Sequence, residues 1–321
     1  MMKSPLLVSK SGSSPNVMPS ASHKGLSFRW ASRHIGVICV LPATILLFAI
    51  TVVPFGYLIY NSLTSYNLQR AYLGKHFIGF DNYVKMFQDG LFWDALRVTF
   101  SLAAMIVVVQ LIFGMLLALL FQRQFIGTRF LRSLLLLPLI MTPVVVGLTW
   151  RMLYNSDLGM INYVLGTLGL PTPIWLATTR WAPVSILITD TWASVPFVTL
   201  MFVAGLQAVP MEPKEAALVD GASKVRVFFD IILPQLRPLI LLAFIFRATD
   251  ALRMFDLIYV MTSGGPANAT QTLNMYAFKV GFQFLDIGYG SALAAALMVI
   301  CMIVSFVAVR FAGFDLEGTR A

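Results

Sequence analysis

The sequence predicts an all-α integral membrane protein with six transmembrane helices and both termini in the cytoplasm. Three observations carry this. Of 321 residues, 58% are hydrophobic and 12% charged, about half the charge of soluble domains. Six apolar runs approach the ~20 residues that a helix needs to cross a ~30 Å hydrocarbon core. The lysines and arginines between those runs are distributed unevenly from one side to the other.

In chain order the runs lie at 35–60, 98–121, 132–150, 181–206, 236–261 and 289–309. Each is read as a helix, because lipid leaves backbone polar groups to be satisfied within the segment. Alternating connections put fourteen basic residues with the N-terminus, among them Lys3, Arg29, Arg123, Lys214 and Arg310. Seven fall opposite, including Arg70, Lys85, Arg151 and Lys279, and Arg247 and Arg253 lie inside the fifth run. The side richer in Lys and Arg is cytoplasmic.

The expected organisation is a disordered basic tail at 1–33, a first helix at 34–61, a periplasmic connection at 62–97, a five-helix core at 98–310 and a second tail at 311–321. The Ser/Pro-rich first tail lacks the apolar core of a signal peptide, and it either sets topology or anchors to anionic lipid. Within 62–97, FIGFDNYVKMFQDGLFWDAL spaces its apolar residues nearly as a surface helix does. The connection MINYVLGTLGLPTPIW is similarly half apolar.

Several chemistries find no support. Cys39 and Cys301 fall inside apolar runs, away from any disulfide framework. His23, His34 and His76 are scattered without metal-ligand spacing. No GxxxxGK[ST] occurs, so the chain is not expected to hydrolyse ATP. No catalytic residue, cofactor or metal is predicted, and the net charge of +9 is read as membrane topology, with no nucleic-acid partner. In GYGSALA the absence of a preceding strand argues against a nucleotide fingerprint. Its small residues Gly290, Ser291, Ala294 and Ala295 suit close helix packing instead.

One stretch resists the apolar pattern. EPKEAALVDGASKVRVFFDIILPQLRP, at 212–238, holds seven charged residues between Glu212 and Asp230. Pro213 suits a first helical turn, KEAALVD is rich in helix formers, Gly221 permits a change of direction, and SKVRVFFDII makes a second short helix that Pro234 should end. Ala216 and Ala217 leave a shallow surface, with Glu215 and Asp220 beside it. The pattern fits a helix-turn-helix against the membrane face; the plainer alternative is an amphipathic connector.

EAALVDGASKVRVFFDIILP resembles the EAA signature of binding-protein-dependent ABC importer permeases. Further stretches, PFGYLIYNSL, FIGFDNYVKMF, AGLQAVP, FRATDALRMFDLIYVMTSGGPANATQT and GYGSALA, are similar to the sugar-permease branch, first-permease type, over roughly 54–310. The resemblance implies a type I importer permease fold in the bacterial inner membrane. It implies a coupling helix at 211–229 that docks on a cytoplasmic ATPase dimer through Glu215, Ala216, Ala217, Asp220, Gly221, Phe228, Ile231, Leu233 and Pro234. It also implies a second homologous permease, an extracytoplasmic solute-binding protein near the loop TSGGPANATQT, and a carbohydrate cargo. The chain lacks the large outward domain of the enteric maltose permease.

Within the fifth run, Arg247, Asp250, Arg253 and Asp256 recur every three residues with alternating sign, a spacing that lets them pair along a helix. Ionisable groups at this depth face protein or a watery cavity. They are read either as an ion-pair ladder fixing helix packing or as a polar wall of the substrate path. Asp190, the other midspan acid, either lines that path or caps a neighbouring helix. The expected function is that of a non-catalytic permease subunit of an ATP-driven carbohydrate importer. The rival expectation is a stand-alone secondary transporter or channel using the charged fifth helix.

Overall fold

Hydrocarbon offers a backbone amide no partner, so apolar runs of this length close their own hydrogen bonds as helices. A computed structural model describes residues 27–122 and 127–311, and every regular element among them is helical. The expected tails, over 1–26 and 312–321, lie outside the described residues, as does Arg123. Among the described residues, four helices are long and apolar enough to cross a membrane, and up to six spans result if each of two bent helix pairs counts as one.

The first helix, α1, is Ser27–Ser62. It therefore takes in residues 27–33, which the composition had assigned to the tail. The chain divides between Phe55 and Gly56 into two units, and the second holds all the geometry that follows. A 3₁₀ turn, Leu68–Leu73, precedes α2, Asp81–Gln88, which forms where a surface helix is expected. The next helix, α3, Gly90–Gln122, begins eight residues before the apolar run does. Asp89 explains the early start, because its Oδ1 accepts from the Leu91 amide at 2.9 Å and satisfies a donor that a first helical turn leaves free.

The expected continuous third span is instead two helices, α4, Thr128–Ile140, and α5, Pro143–Leu153, bent by 103°. Thr142, ahead of Pro143, is extended at φ −71°, ψ 148°, because a proline ring disfavours the helical conformation of the residue before it. A short α6, Met160–Thr167, leads to the long α7, Trp181–Ala208.

The polar stretch gives α8, Glu212–Val219, and α9, Lys224–Val227, which runs on through a π turn, Phe228–Ile232, into α10, Leu233–Gln235. The fifth run is broken as well. It comprises α11, Arg237–Leu252, and α12, Asp256–Met261, with Phe255 between them at φ −132°, ψ −59°. After the loop come α13, Leu273–Phe278, a second π turn, Lys279–Gln283, and α14, Ile287–Phe311.

Helices α3 and α7 pack so closely that a Cβ on Gly114 would lie 2.5 Å from Cγ1 of Val198. Around them Ile106, Ile186, Ile258, Leu273 and Leu293 form one apolar core, and Ala118, Phe202, Leu206 and Leu236 a second towards the end of α7. The glycine expected to permit close packing in GYGSALA does so: a Cβ on Gly290 would meet the Gly281 Cα at 2.7 Å.

Candidate functional site: a surface helix pair and a charged cavity

The turn between α8 and α9 follows from local chemistry. Gly221 has φ +85°, a conformation that costs any other L-residue. Its amide donates to the Leu218 carbonyl at 3.1 Å, and the Ala222 amide reaches back to Ala217 at 2.9 Å. Together these close the α8 C-terminus in a Schellman arrangement. The Ser223 hydroxyl then accepts from the Arg226 amide at 3.3 Å and starts α9.

On the surface of this pair lie Glu215, Ala216, Asp220 and Gly221, with Ala217 half-buried. Phe228, Ile231 and Leu233 are half-buried further along. Beside the first set stand residues that the motif did not single out: Val219 is 87% exposed, Val225 67% and Phe229 57%. Lys214 in contrast is buried and donates from Nζ to the Val209 carbonyl at 3.1 Å. That ammonium supplies positive charge at the C-terminal end of α7, where free carbonyls favour it.

Pro234 does not end the second helix, as its lack of an amide had suggested. The π turn ahead of it, in which the Leu233 amide bonds to Phe228, widens the helix enough to admit the ring. The break comes at Leu236, where the axis turns by 68° into α11. An almost continuous helical rod therefore runs from Lys224 to that corner.

Beyond it α11 carries charge into the interior. The Arg247 guanidinium is buried and donates from one terminal nitrogen to Asp190 Oδ2 on α7 at 2.9 Å. Its Nε donates to Gln110 Oε1 on α3 at 2.6 Å. Gln110 in turn donates from Nε2 to the same Asp190 oxygen at 2.7 Å, closing a triangle across three helices. The other terminal nitrogen of Arg247 lies 3.4 Å from Asp250, which Arg253 approaches at 3.3 Å.

The ladder therefore holds over Arg247, Asp250 and Arg253 and stops there. Asp256 makes no ion pair among the described residues, because the break at Phe255 moves it from the expected register to the start of α12. Asp190, left open between two roles, caps no helix and joins the ladder. Gln110 escaped the sequence patterns altogether. Its one signal was an amide inside the apolar run VVVQLIF, which a low-dielectric setting obliges to find partners.

A cavity of about 600 Å³ opens beside this network, lined by Asp190, Ser194, Phe197, Asp250, Arg253 and Asp256, among others. The corner between α4 and α5 closes one side through Pro138, Met141 and Pro143. Asp250 and Arg253 have side chains 56% and 58% exposed, against 8% for Arg247. One end of the ladder is thus buried between helices, and the other presents hydrogen-bonding groups to the cavity.

A second polar cluster stands at the start of α3. Asp89 Oδ2 accepts from the hydroxyls of Tyr276 at 2.5 Å and Tyr289 at 2.6 Å. Partial burial pushes the Asp89 carboxyl up, but these hydroxyls and the backbone amides after it outweigh burial and hold it below the usual range. The Lys85 ammonium bridges to Asp286 at 3.2 Å and lies 4.1 Å from the Tyr289 ring centroid.

Residues 110–312 match the family model described as the binding-protein-dependent transport system inner membrane component. The probable ABC transporter permease protein y4oQ of Sinorhizobium fredii is 39% identical, over 83% of this chain and 85% of its own length. The sulfoquinovosyl glycerol transport system permease protein SmoG of Agrobacterium fabrum is 40% identical, covering 88% and 92%. The trehalose/maltose transport system permease protein MalF of Thermococcus litoralis is 37% identical, covering 75% and 81%. In fold, the chain superposes with a TM-score of 0.76 on a chain of a bacterial ABC transporter that imports the acidic polysaccharide alginate. That match has 20% identity and covers 90% of this chain and 99% of the other.

Proposed function

The chain belongs to the family of binding-protein-dependent transport system inner membrane components, and we propose that it forms the path by which an ATP-driven importer carries a carbohydrate into the cell. It is a multi-pass inner-membrane permease subunit. A separate cytoplasmic ATPase dimer docks on 211–229, a second homologous permease completes the path, and an extracytoplasmic binding protein delivers cargo. Relatives that transport sulfoquinovosyl glycerol and trehalose or maltose support a carbohydrate cargo.

The observation that carries the proposal is the mechanical connection. The exposed α8 and the Gly221 turn lead into a helical rod that ends at the 68° corner before α11, and α11 carries Arg247 and Asp250 of the cavity's charged lining. Closure of the ATPases displaces α8, the rod passes the displacement to α11, and the cavity opens to the other side. Exposed Val219, Val225 and Phe229 give the ATPase an apolar contact, while Glu215 and Asp220 set its register. In the cavity Asp250, Arg253 and Asp256 offer donors and acceptors to sugar hydroxyls. Family membership does not favour the ion-driven alternative.

The test is purification of the tagged chain from native membranes, followed by binding-protein-dependent ATP hydrolysis and uptake with trehalose, maltose, diacetylchitobiose and sulfoquinovosyl glycerol. Co-purifying ATPase and permease subunits with sugar-stimulated turnover are the expected result. Recovery of the chain alone, under conditions that preserve a known importer, would sink the proposal.

A further inference from the structure

A second cavity, of about 440 Å³, lies against the charged one and shares Phe255 and Asp256 with it. Its volume falls in the ~300–1,000 Å³ class of small-molecule sites. The walls are mostly aromatic and small: Phe255, Phe278 and Phe282 stand round it, and Gly281 and Gly290 leave one side without side chains.

The rings form a connected series. Phe255 and Phe278 have centroids 4.9 Å apart, and Phe278 and Phe282 are 5.2 Å apart and stacked at 25°. Tyr259 stacks on Phe255 at 5.4 Å and meets Phe278 edge-on at 5.4 Å. The π turn Lys279–Gln283 carries Phe282 out to 70% exposure while Phe278 stays half-buried. The series thus runs from the protein surface to the edge of the charged cavity.

Three polar residues, Asp256, Asn274 and the buried Ser291, are among its lining. Asp256 has no partner among the described residues. Asn274 commits one amide hydrogen to the Arg253 carbonyl at 2.7 Å and keeps its side-chain oxygen available. Aromatic faces together with a few hydrogen-bonding groups match a pyranose ring, which has apolar C–H faces and a hydroxyl rim. An acyl chain has no use for Asp256 and Asn274.

We propose that this second cavity is a carbohydrate subsite: the exposed Phe282, backed by Phe278, stacks its free face on a sugar ring while Asp256 and Asn274 hold its hydroxyls, and Phe255 passes the ring on to the charged cavity. The proposal rests on the carbohydrate reading above, and its test separates the two.

The intact complex is placed in lipid nanodiscs, and uptake of the four-sugar panel is measured in proteoliposomes. Phe282→Leu keeps apolar bulk but loses the ring face. It is expected to lower uptake of the sugar that the wild type imports by about tenfold, the scale of one aromatic contact, and Phe282→Trp is expected to retain it. In the Phe282→Trp complex the same sugar should shift the added indole emission, measured as a difference from wild type. This spectroscopic readout holds even if the leucine variant assembles poorly. Equal uptake by Phe282→Leu, or quenching of the indole by brominated lipid with no response to sugar, overturns the subsite while leaving the carbohydrate importer intact. A wild-type complex that imports none of the panel overturns both.

Discussion

The Arg247 guanidinium and the Asp190 carboxylate meet at 2.9 Å between α11 and α7, with side chains only 8% and 14% exposed. Two helices that the sequence separates by a long polar segment are joined here by charge. Gln110 supplies the third corner, so that one Asp190 oxygen accepts from both neighbours.

Removing one member of this triangle strands the others. Asp190→Leu leaves the buried Arg247 with Gln110 and, as its one charged partner, the exposed Asp250, and is expected to cost about 3–5 kcal/mol. The double variant Asp190→Leu/Arg247→Met removes both charges and should recover part of that loss, the remainder reflecting the buried Gln110 amide that loses both partners. Thermal unfolding of the purified complex, in a double-mutant cycle, checks both; equal destabilisation by the single and double variants contradicts the pairing.

Gly221 tests the coupling turn. Nothing lies within 4 Å of the Cβ that a substitution would add, so any effect comes from φ +85° and not from a clash. A left-handed conformation costs an L-residue roughly 1–2 kcal/mol, most in β-branched residues, and asparagine tolerates it best. Gly221→Val is expected to insert normally yet lower the sugar imported per ATP hydrolysed, whereas Gly221→Asn should work nearly as wild type. The ratio of uptake to hydrolysis in proteoliposomes is the readout, and an unchanged ratio for the valine variant removes the role given to the turn.

Gly290 tests the close approach of α14 to the π turn. A methyl there would meet backbone atoms of Gly281 at 2.7 and 2.8 Å, so Gly290→Ala must push two backbones apart, at a cost of about 1–3 kcal/mol. Gly56→Ala is the control, since its methyl meets nothing within 4 Å and improves helix propensity. The first should lower the unfolding temperature and the second should not.

The pH dependence follows from Asp89. Its carboxyl titrates lower in the folded protein than the ordinary 3.8, through the Tyr276 and Tyr289 hydroxyls and nearby amides acting against burial. A depressed folded value means that its stabilisation is complete above the unfolded value and disappears as pH falls through the folded one. Wild type should therefore lose stability below about pH 4 more steeply than Asp89→Asn. At neutral pH that variant should already be destabilised, by about 1–2 kcal/mol, because two hydroxyls lose a charged acceptor. Unfolding curves from pH 3 to 7 decide this, and parallel curves for the two proteins would contradict it.

Much of the architecture was legible in the sequence because its causes are local. Six apolar runs became helices since lipid permits little else. Gly221 announced a turn since only glycine adopts its φ freely, and the small residues at 290–295 announced a close contact. Misreadings arose where one backbone feature offset another. Pro143 broke a run that hydropathy had presented as continuous, while Pro234 broke nothing because a π turn preceded it. The start of α3 depended on a single carboxylate, Asp89, ahead of the apolar run.

The sequence by itself determined the membrane class, the helical nature of the apolar runs, the family and the segment expected to meet an ATPase, since each is written in composition, periodicity or contiguous motif. Only the tertiary structure decided which charges are partners. Alternating signs at 247, 250, 253 and 256 suggested four rungs of one ladder, yet Asp256 left the register at a helix break, and Asp190 and Gln110 entered from helices 57 and 137 positions away. The reason is physical: a buried charge is satisfied by whatever packing brings within about 3 Å, and packing joins residues without regard to their order in the chain.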